Sequence, residues 1–290
     1  MRLIFNLTAA CLAGATFVAH GAQPMVPVDA FVEPQQFSMP RLSPDGKHLA
    51  VNVRIQRGDR KIPTMTIYSL PDLKIVSTIA LPGYEIPVNF MWLTNQRLVV
   101  KKGLELGLRE RPTATGEVVA VNLDGSKQEY LYGYKAFKQS SRGDRYGDDY
   151  GYGTVAHIPD ARDGHLLVGS YEWDGNRSML YDINSSNAVR KLVADIPAKG
   201  LQFVVQNNGK PRFAYGVDDD YEAILFRLTD ASGEWSRVAG KGLGRTYVPF
   251  AFTPDDRAFY VVHSEKGEPE SIVLENAASG ERKLVASDRL

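Results

Sequence analysis

The sequence predicts an all-β fold, a β-propeller of four-stranded antiparallel blades with about five blades present and the ring incomplete. Three observations predict it: a hairpin phrase that recurs along the chain, a scarcity of helix-period segments, and a spacing of roughly fifty residues between copies, in the range of four-stranded blades. The phrase is clearest at Met39-Pro40-Arg41-Leu42-Ser43-Pro44-Asp45-Gly46-Lys47-His48-Leu49-Ala50-Val51. Pro44 presets φ for the turn, Ser43 and Asp45 can bond nearby backbone, and Gly46 tolerates positive φ. Near the C-terminus Phe250-Ala251-Phe252-Thr253-Pro254-Asp255-Asp256-Arg257-Ala258-Phe259-Tyr260-Val261-Val262 repeats it, with Thr253 for Ser43 and Asp256 for Gly46. An aspartate can take the left-handed conformation at that place, at some cost. Weaker copies run from Phe90 to Val100, from Val155 to Gly169 and from Phe203 to Gly216.

Taken in order, Met1 to Ala22 reads as a secretory signal: Arg2 at the start, a mostly apolar run from Leu3 to Val18, then small residues. Cleavage is expected after Gly21 or Ala22. Asn6, Thr8 and Thr16 interrupt the run, so no stable membrane span is expected once the signal is removed. Cys11, the sole cysteine, lies inside it. Thr8-Ala9-Ala10-Cys11 is a poor lipid-attachment site, and the mature chain has neither a disulfide nor a thiol nucleophile. Export to the periplasm or the exterior follows.

Residues 23–39 read as an extended lead-in, with a short helical turn near Val28 to Phe31. The propeller then occupies 40–290, with blades at about 40–81, 88–132, 154–193, 201–239 and 248–286. In the second, Gly103 to Thr115 reads as a polar connector carrying Arg109, Glu110 and Arg111. Residues 133–153 break the rhythm with Gly, Tyr, Arg and Asp and almost no aliphatic residue, which predicts a mobile surface loop. Within it, Ser141 to Tyr150 mixes cations, carboxylates and aromatics. It reads as a solvated connector, the alternative being a binding loop over the propeller mouth. A ring that stops after a whole blade has no strand to close it, so the chain reads as the N-terminal part of a longer protein.

Net charge is zero across 34 basic and 34 acidic residues, and no basic patch interleaves with aromatics, which excludes nucleic acid as a partner. No Gly-x-Ser-x-Gly elbow occurs, so no hydrolase nucleophile is assigned. His48, His157, His165 and His263 make no metal-binding pair and read as structural. Asp218-Asp219-Asp220 with Glu222 are consecutive rather than alternate acids and read as a solvated blade turn, not a calcium loop. Trp92, Trp173 and Trp235 are expected in core or inter-blade packing. Catalytic, cofactor and metal residues are therefore all assigned as none.

The secretory signal, Leu42-Ser43-Pro44-Asp45-Gly46-Lys47 and Thr253-Pro254-Asp255-Asp256-Arg257 resemble the N-terminal propeller of the prolyl oligopeptidase family of serine peptidases. The phrases Gly175 to Asn184 and Phe213 to Asp220 look like its exported bacterial members. TolB-like propellers share the same turns. The resemblance implies a ring of about seven or eight blades capping a C-terminal α/β-hydrolase domain that carries a Ser-Asp-His triad and admits short peptides. This chain lacks the hydrolase part, so no catalytic residue carries over and the chain alone is expected to be inactive. No Glu-Glu pair for anchoring a substrate amine is present, which leaves exo- or endopeptidase action open. The alternative from another class is a non-enzymatic periplasmic propeller that binds a partner protein or an envelope component.

Overall fold

In the computed structural model, residues 35–83, 85–105, 112–134, 149–218, 220–229, 233–238, 243–266 and 269–288 are described. The signal, the expected turn at Val28 to Phe31, Arg109 to Arg111 and Ser141 to Asp148 lie outside them. Residues from Gln36 onward form one compact unit.

The described residues hold twenty strands in five sheets of four. The first sheet is β1 (Phe37–Leu42), β2 (His48–Arg57), β3 (Arg60–Ser69) and β4 (Lys74–Ile79). The second is β5 (Glu85–Trp92), β6 (Arg97–Leu104), β7 (Thr113–Asn122) and β8 (Glu129–Tyr132). The third is β9 (Gly151–His157), β10 (His165–Glu172), β11 (Ser178–Asn184) and β12 (Arg190–Ile196). The fourth is β13 (Gln202–Val205), β14 (Pro211–Val217), β15 (Ala223–Leu228) and β16 (Trp235–Arg237). The fifth is β17 (Thr246–Phe252), β18 (Ala258–Ser264), β19 (Ser271–Asn276) and β20 (Arg282–Ser287). Each strand pairs antiparallel with the next in sequence, so every sheet is a meander.

The repeated turn explains why the strands reverse where they do. Ser43 Oγ donates to Asp45 Oδ1 at 2.6 Å, and the amides of Lys47 and His48 donate to Asp45 Oδ1 and Ser43 Oγ at 3.1 and 2.9 Å. The fifth sheet repeats the arrangement: Thr253 Oγ1 donates to Asp255 Oδ1 at 2.7 Å, with Arg257 N and Ala258 N at 3.2 and 3.1 Å from the same two side chains. Gly46 has φ of 69° and Asp256 of 56°, so both residues occupy the left-handed position. In each turn the donors that favour the ionised carboxylate hold Asp45 and Asp255 below the usual aspartate range, the neighbouring hydroxyl first among them.

The second strands are the apolar spines. Ala50, Leu98, Val100, Leu166, Val168, Phe213, Phe259 and Val261 are all buried, and each packs into a core lying between successive sheets. Successive sheets meet through β1 and β3 against β5, β7 against β9, β9 against β13, and β13 to β15 against β17. Repeated contact among the first strands places them on the inside, and the last strands outside; β20 is exposed throughout. Among the described residues no contact of comparable extent joins β17–β20 to β1–β4, so the five blades form an open array.

Three segments depart from the sequence reading. The first blade starts at Phe37, inside the expected lead-in, where it pairs with Val53, and the second at Glu85, which pairs with Leu104. The expected connector from Gly103 to Thr115 is shorter, since β6 runs to Leu104 and β7 starts at Thr113. Of the segment 133–153 expected as a mobile loop, Gly151 to Gly153 belong to β9, and residues 135–148 lie outside the described residues. Glycine is needed there because a Cβ on Gly153 would lie 2.5 Å from the Tyr132 ring, and one on Gly151 would lie 2.3 Å from the Tyr171 carbonyl oxygen. The residues that read as a loop for want of side chains are the ones that let β7–β8 and β9 approach closely.

Candidate functional site

The inner strands β1, β5 and β9 carry their side chains toward a cleft of about 430 Å³. Its polar groups are Arg41, His157 and Arg162, and its apolar wall includes Leu42, Trp92 and Ile158. Trp92 is fixed by donating its indole N–H to the Arg41 carbonyl oxygen at 3.0 Å, which ties the first blade to the second. Arg162 donates to the Trp92 carbonyl oxygen at 2.7 Å and ties the third blade to the second. Arg162 itself sits at φ of 49°, in the turn between β9 and β10. Burial holds the His157 imidazole below its usual range, and among the described residues its Nε2 has no hydrogen-bond partner. A neutral imidazole beside two guanidinium groups and an apolar wall suits a ligand with an anionic end and an apolar body.

The other histidines stand apart from one another. His165 Nδ1 lies 2.9 Å from Asp182 Oδ1, and its Nε2 lies 3.3 Å from Asn184 Nδ2, all on the β10–β11 hairpin. His48 lies 6.3 Å from the Trp92 ring, and His263 makes an edge contact with Tyr247. No cluster of three or more His, Cys, Asp or Glu able to hold a metal occurs among the described residues. Asp218 uses its carboxylate to accept from the amides of Asp220 and Glu222 at 3.2 and 2.9 Å, closing the β14–β15 turn.

The tryptophans divide. Trp92 is buried and Trp235 packs edge-on against Phe203. Trp173 is not in a core: with Tyr134 and Tyr150 it forms a partly exposed aromatic group, its ring centroid 5.6 and 4.8 Å from theirs. Both tyrosines flank residues 135–148.

Two buried ionic groups escaped the sequence reading. Lys102 meets Glu85 at 2.5 Å and Glu117 at 3.4 Å and also bonds the Tyr130 hydroxyl; its side chain is 2% exposed and that of Glu117 0%. Arg190 holds Asp149 with two bonds of 2.7 and 2.6 Å, both side chains under a tenth exposed, between the rings of Tyr132 and Tyr181. Their partners lie 15 to 41 residues away in the sequence, so no spacing announces them.

No protein-family profile matches the chain, and no curated protein matches it in sequence. Solved structures do match its fold. The dipeptidyl peptidase 4 of Porphyromonas gingivalis aligns at TM-score 0.56 and 12% identity, over 87% of this chain and 39% of that one. An oligogalacturonate lyase in complex with manganese aligns at 0.53 and 14%, over 85% and 67%. The acylaminoacyl peptidase of Pyrococcus horikoshii aligns at 0.51 and 12%, over 88% and 39%. At such identities the likeness shows the fold, a β-propeller domain, and this chain spans 39% of the length of either peptidase.

Proposed function

We propose that the chain is the substrate-gating and docking propeller of an exported serine peptidase of the prolyl oligopeptidase type, acting on short peptides. The observation that carries the reading is the inner-strand cleft at Arg41, Trp92, His157 and Arg162, about 430 Å³ in volume. It is large enough for one or two residues of an extended peptide, whose terminal carboxylate the arginines would meet. The Ser43-Pro44-Asp45-Gly46 turn, its Thr253-Pro254-Asp255-Asp256 counterpart and the fold shared with two peptidases support it further. In this reading the Ser-Asp-His chemistry belongs to an α/β-hydrolase domain elsewhere in the full-length protein, and the propeller filters what reaches it.

The test is to read the gene beyond the codon for Leu290 and to express both forms. Continuation through further blades into a Gly-x-Ser-x-Gly segment, with peptidase activity in the long form alone, supports the proposal. A stop codon at that point refutes it. A stop would favour the second reading, a non-enzymatic envelope propeller. The partly exposed Tyr134, Tyr150 and Trp173 group favours that reading, since aromatic rings at a surface are a common anchor for a protein partner.

A further inference from the structure

The strand β6 carries two successive lysines whose surroundings differ completely. Lys102 is matched by two carboxylates and a phenol. Lys101, one residue earlier, enters the junction of the second, third and fourth blades. Its ammonium donates to Thr154 Oγ1 at 2.9 Å and stands 5.9 Å from the Tyr152 ring centroid. No carboxylate among the described residues comes within ion-pair distance of it. Burial alone depresses its proton affinity, with no acidic neighbour to restore it. A half-buried cation held by one neutral hydroxyl is left short of partners, because an ammonium offers three donors.

That cation borders a cavity of about 400 Å³. Besides Lys101 the lining includes Tyr152, Thr154, Ser170, Tyr171 and Gln202, which present hydroxyl and amide groups. Tyr152 and Tyr171 stack with centroids 5.6 Å apart and planes 19° apart, so their positions are set in advance of any ligand. The wall also includes backbone at Gly169 and Gly200, where nothing projects into the space.

We infer that this cavity binds a small carboxylate, with Lys101 as its counter-ion, Thr154 and Gln202 bonding its polar body, and the Tyr152–Tyr171 pair as a wall. A carboxylate fits better than a phosphate ester. One ammonium meets a single negative charge, and among the described residues no arginine or helix N-terminus lines the cavity to meet a second. Two sources share that chemistry, the C-terminus of a short peptide and a sugar acid. The site is distinct from the cleft at His157 and holds whichever function the whole protein serves.

The experiment uses the 290-residue chain at neutral pH and matched probes: N-acetyl-alanyl-alanine against its amide, and glucuronate against glucose. Isothermal titration is expected to show one acid binding about tenfold or more tightly than its neutral twin, as the loss of a charge-assisted bond implies. Lys101→Met should erase that preference and Lys101→Arg should keep most of it. In wild-type protein carrying isotope-labelled lysine, the Lys101 side-chain resonance should move with the acid and stay fixed with the neutral probe. This arm does not depend on any variant folding. The peptide acid winning identifies a peptide ligand, and glucuronate winning identifies a sugar acid. Equal binding of acid and neutral forms overturns the assignment. So does an unmoved Lys101 resonance at up to about 10 mM acid, where even a millimolar site is mostly filled.

Discussion

Asp256 occupies the place that Gly46 holds in the first blade, and replacing it with glycine sets two effects against each other. The left-handed conformation at φ of 56° costs aspartate about 1 kcal/mol relative to glycine, so local strain alone predicts that Asp256→Gly stabilises. The carboxylate, however, also reaches the fourth blade. It accepts from Asn207 N at 2.9 Å, Asn207 Nδ2 at 3.0 Å and Asn208 N at 3.3 Å, in the turn between β13 and β14. These bonds are charge-assisted but lie at a solvated rim, so about 1 kcal/mol each is a fair ceiling, or about 2–3 kcal/mol together. Asn207 keeps one further bond, to the Thr253 carbonyl oxygen at 2.8 Å. The net expectation is that Asp256→Gly destabilises by about 1–2 kcal/mol, with Asp256→Asn in between because it keeps one acceptor and tolerates the same φ. Urea unfolding of Asp256→Gly, Asn207→Ala and the double variant measures both the net effect and the coupling. A glycine variant as stable as the parent, or a coupling below about 0.5 kcal/mol, refutes the claim that this aspartate works across the blade boundary.

Asp149→Ala should cost about 3–5 kcal/mol, since it removes the carboxylate that two hydrogen bonds tie to the buried Arg190 guanidinium; the urea midpoint reports it, and a loss under about 1 kcal/mol would contradict the pairing. Burial pushes the Tyr132 phenol up to about 12, above its usual value near 10. The neutral phenol therefore contributes stability in full below pH of about 10, and rising pH removes about 3 kcal/mol of it between there and about 12. Tyr247 and other tyrosines are raised by burial in the same direction, so Tyr132→Phe should shrink the loss of stability across that window by about that amount and leave the rest. Phenolate absorbance and unfolding should move together there. Gly153→Ala should destabilise by a few kcal/mol through the 2.5 Å approach of its new methyl to the Tyr132 ring, whereas Gly209→Ala, with open space around it, should cost only the strain of φ at 82°. Residues 23–290, purified alone, should hydrolyse no peptide and take up no serine-directed probe; labelling would show a nucleophile that the sequence reading overlooks.

The blade rhythm was legible in the sequence because a meander is built from local pieces. Each hairpin needs a turn residue set such as Ser43, Pro44, Asp45 and Gly46, and each second strand needs a short apolar run such as Leu49 to Val51. Both signals sit within about a dozen residues and recur, so their order alone carries the architecture. The site was legible only as fragments. His157 and Trp92 could be named, yet nothing in their spacing puts them beside Arg41 and Arg162, because three inner strands from three blades converge there. The sequence also misread Gly151 to Gly153 as loop, since a glycine that admits a neighbouring ring looks the same in one dimension as a glycine that confers flexibility. Lys101 and Lys102 are the sharpest case. Adjacent in the chain and identical in chemistry, one is neutralised by Glu85 and Glu117 while the other faces an open cavity, and only the packing of the second blade against the third and fourth sets which is which. Local hydrogen bonding determines the strands and turns; the environment of each charge is set by residues far away in sequence, and that is a property of the folded array.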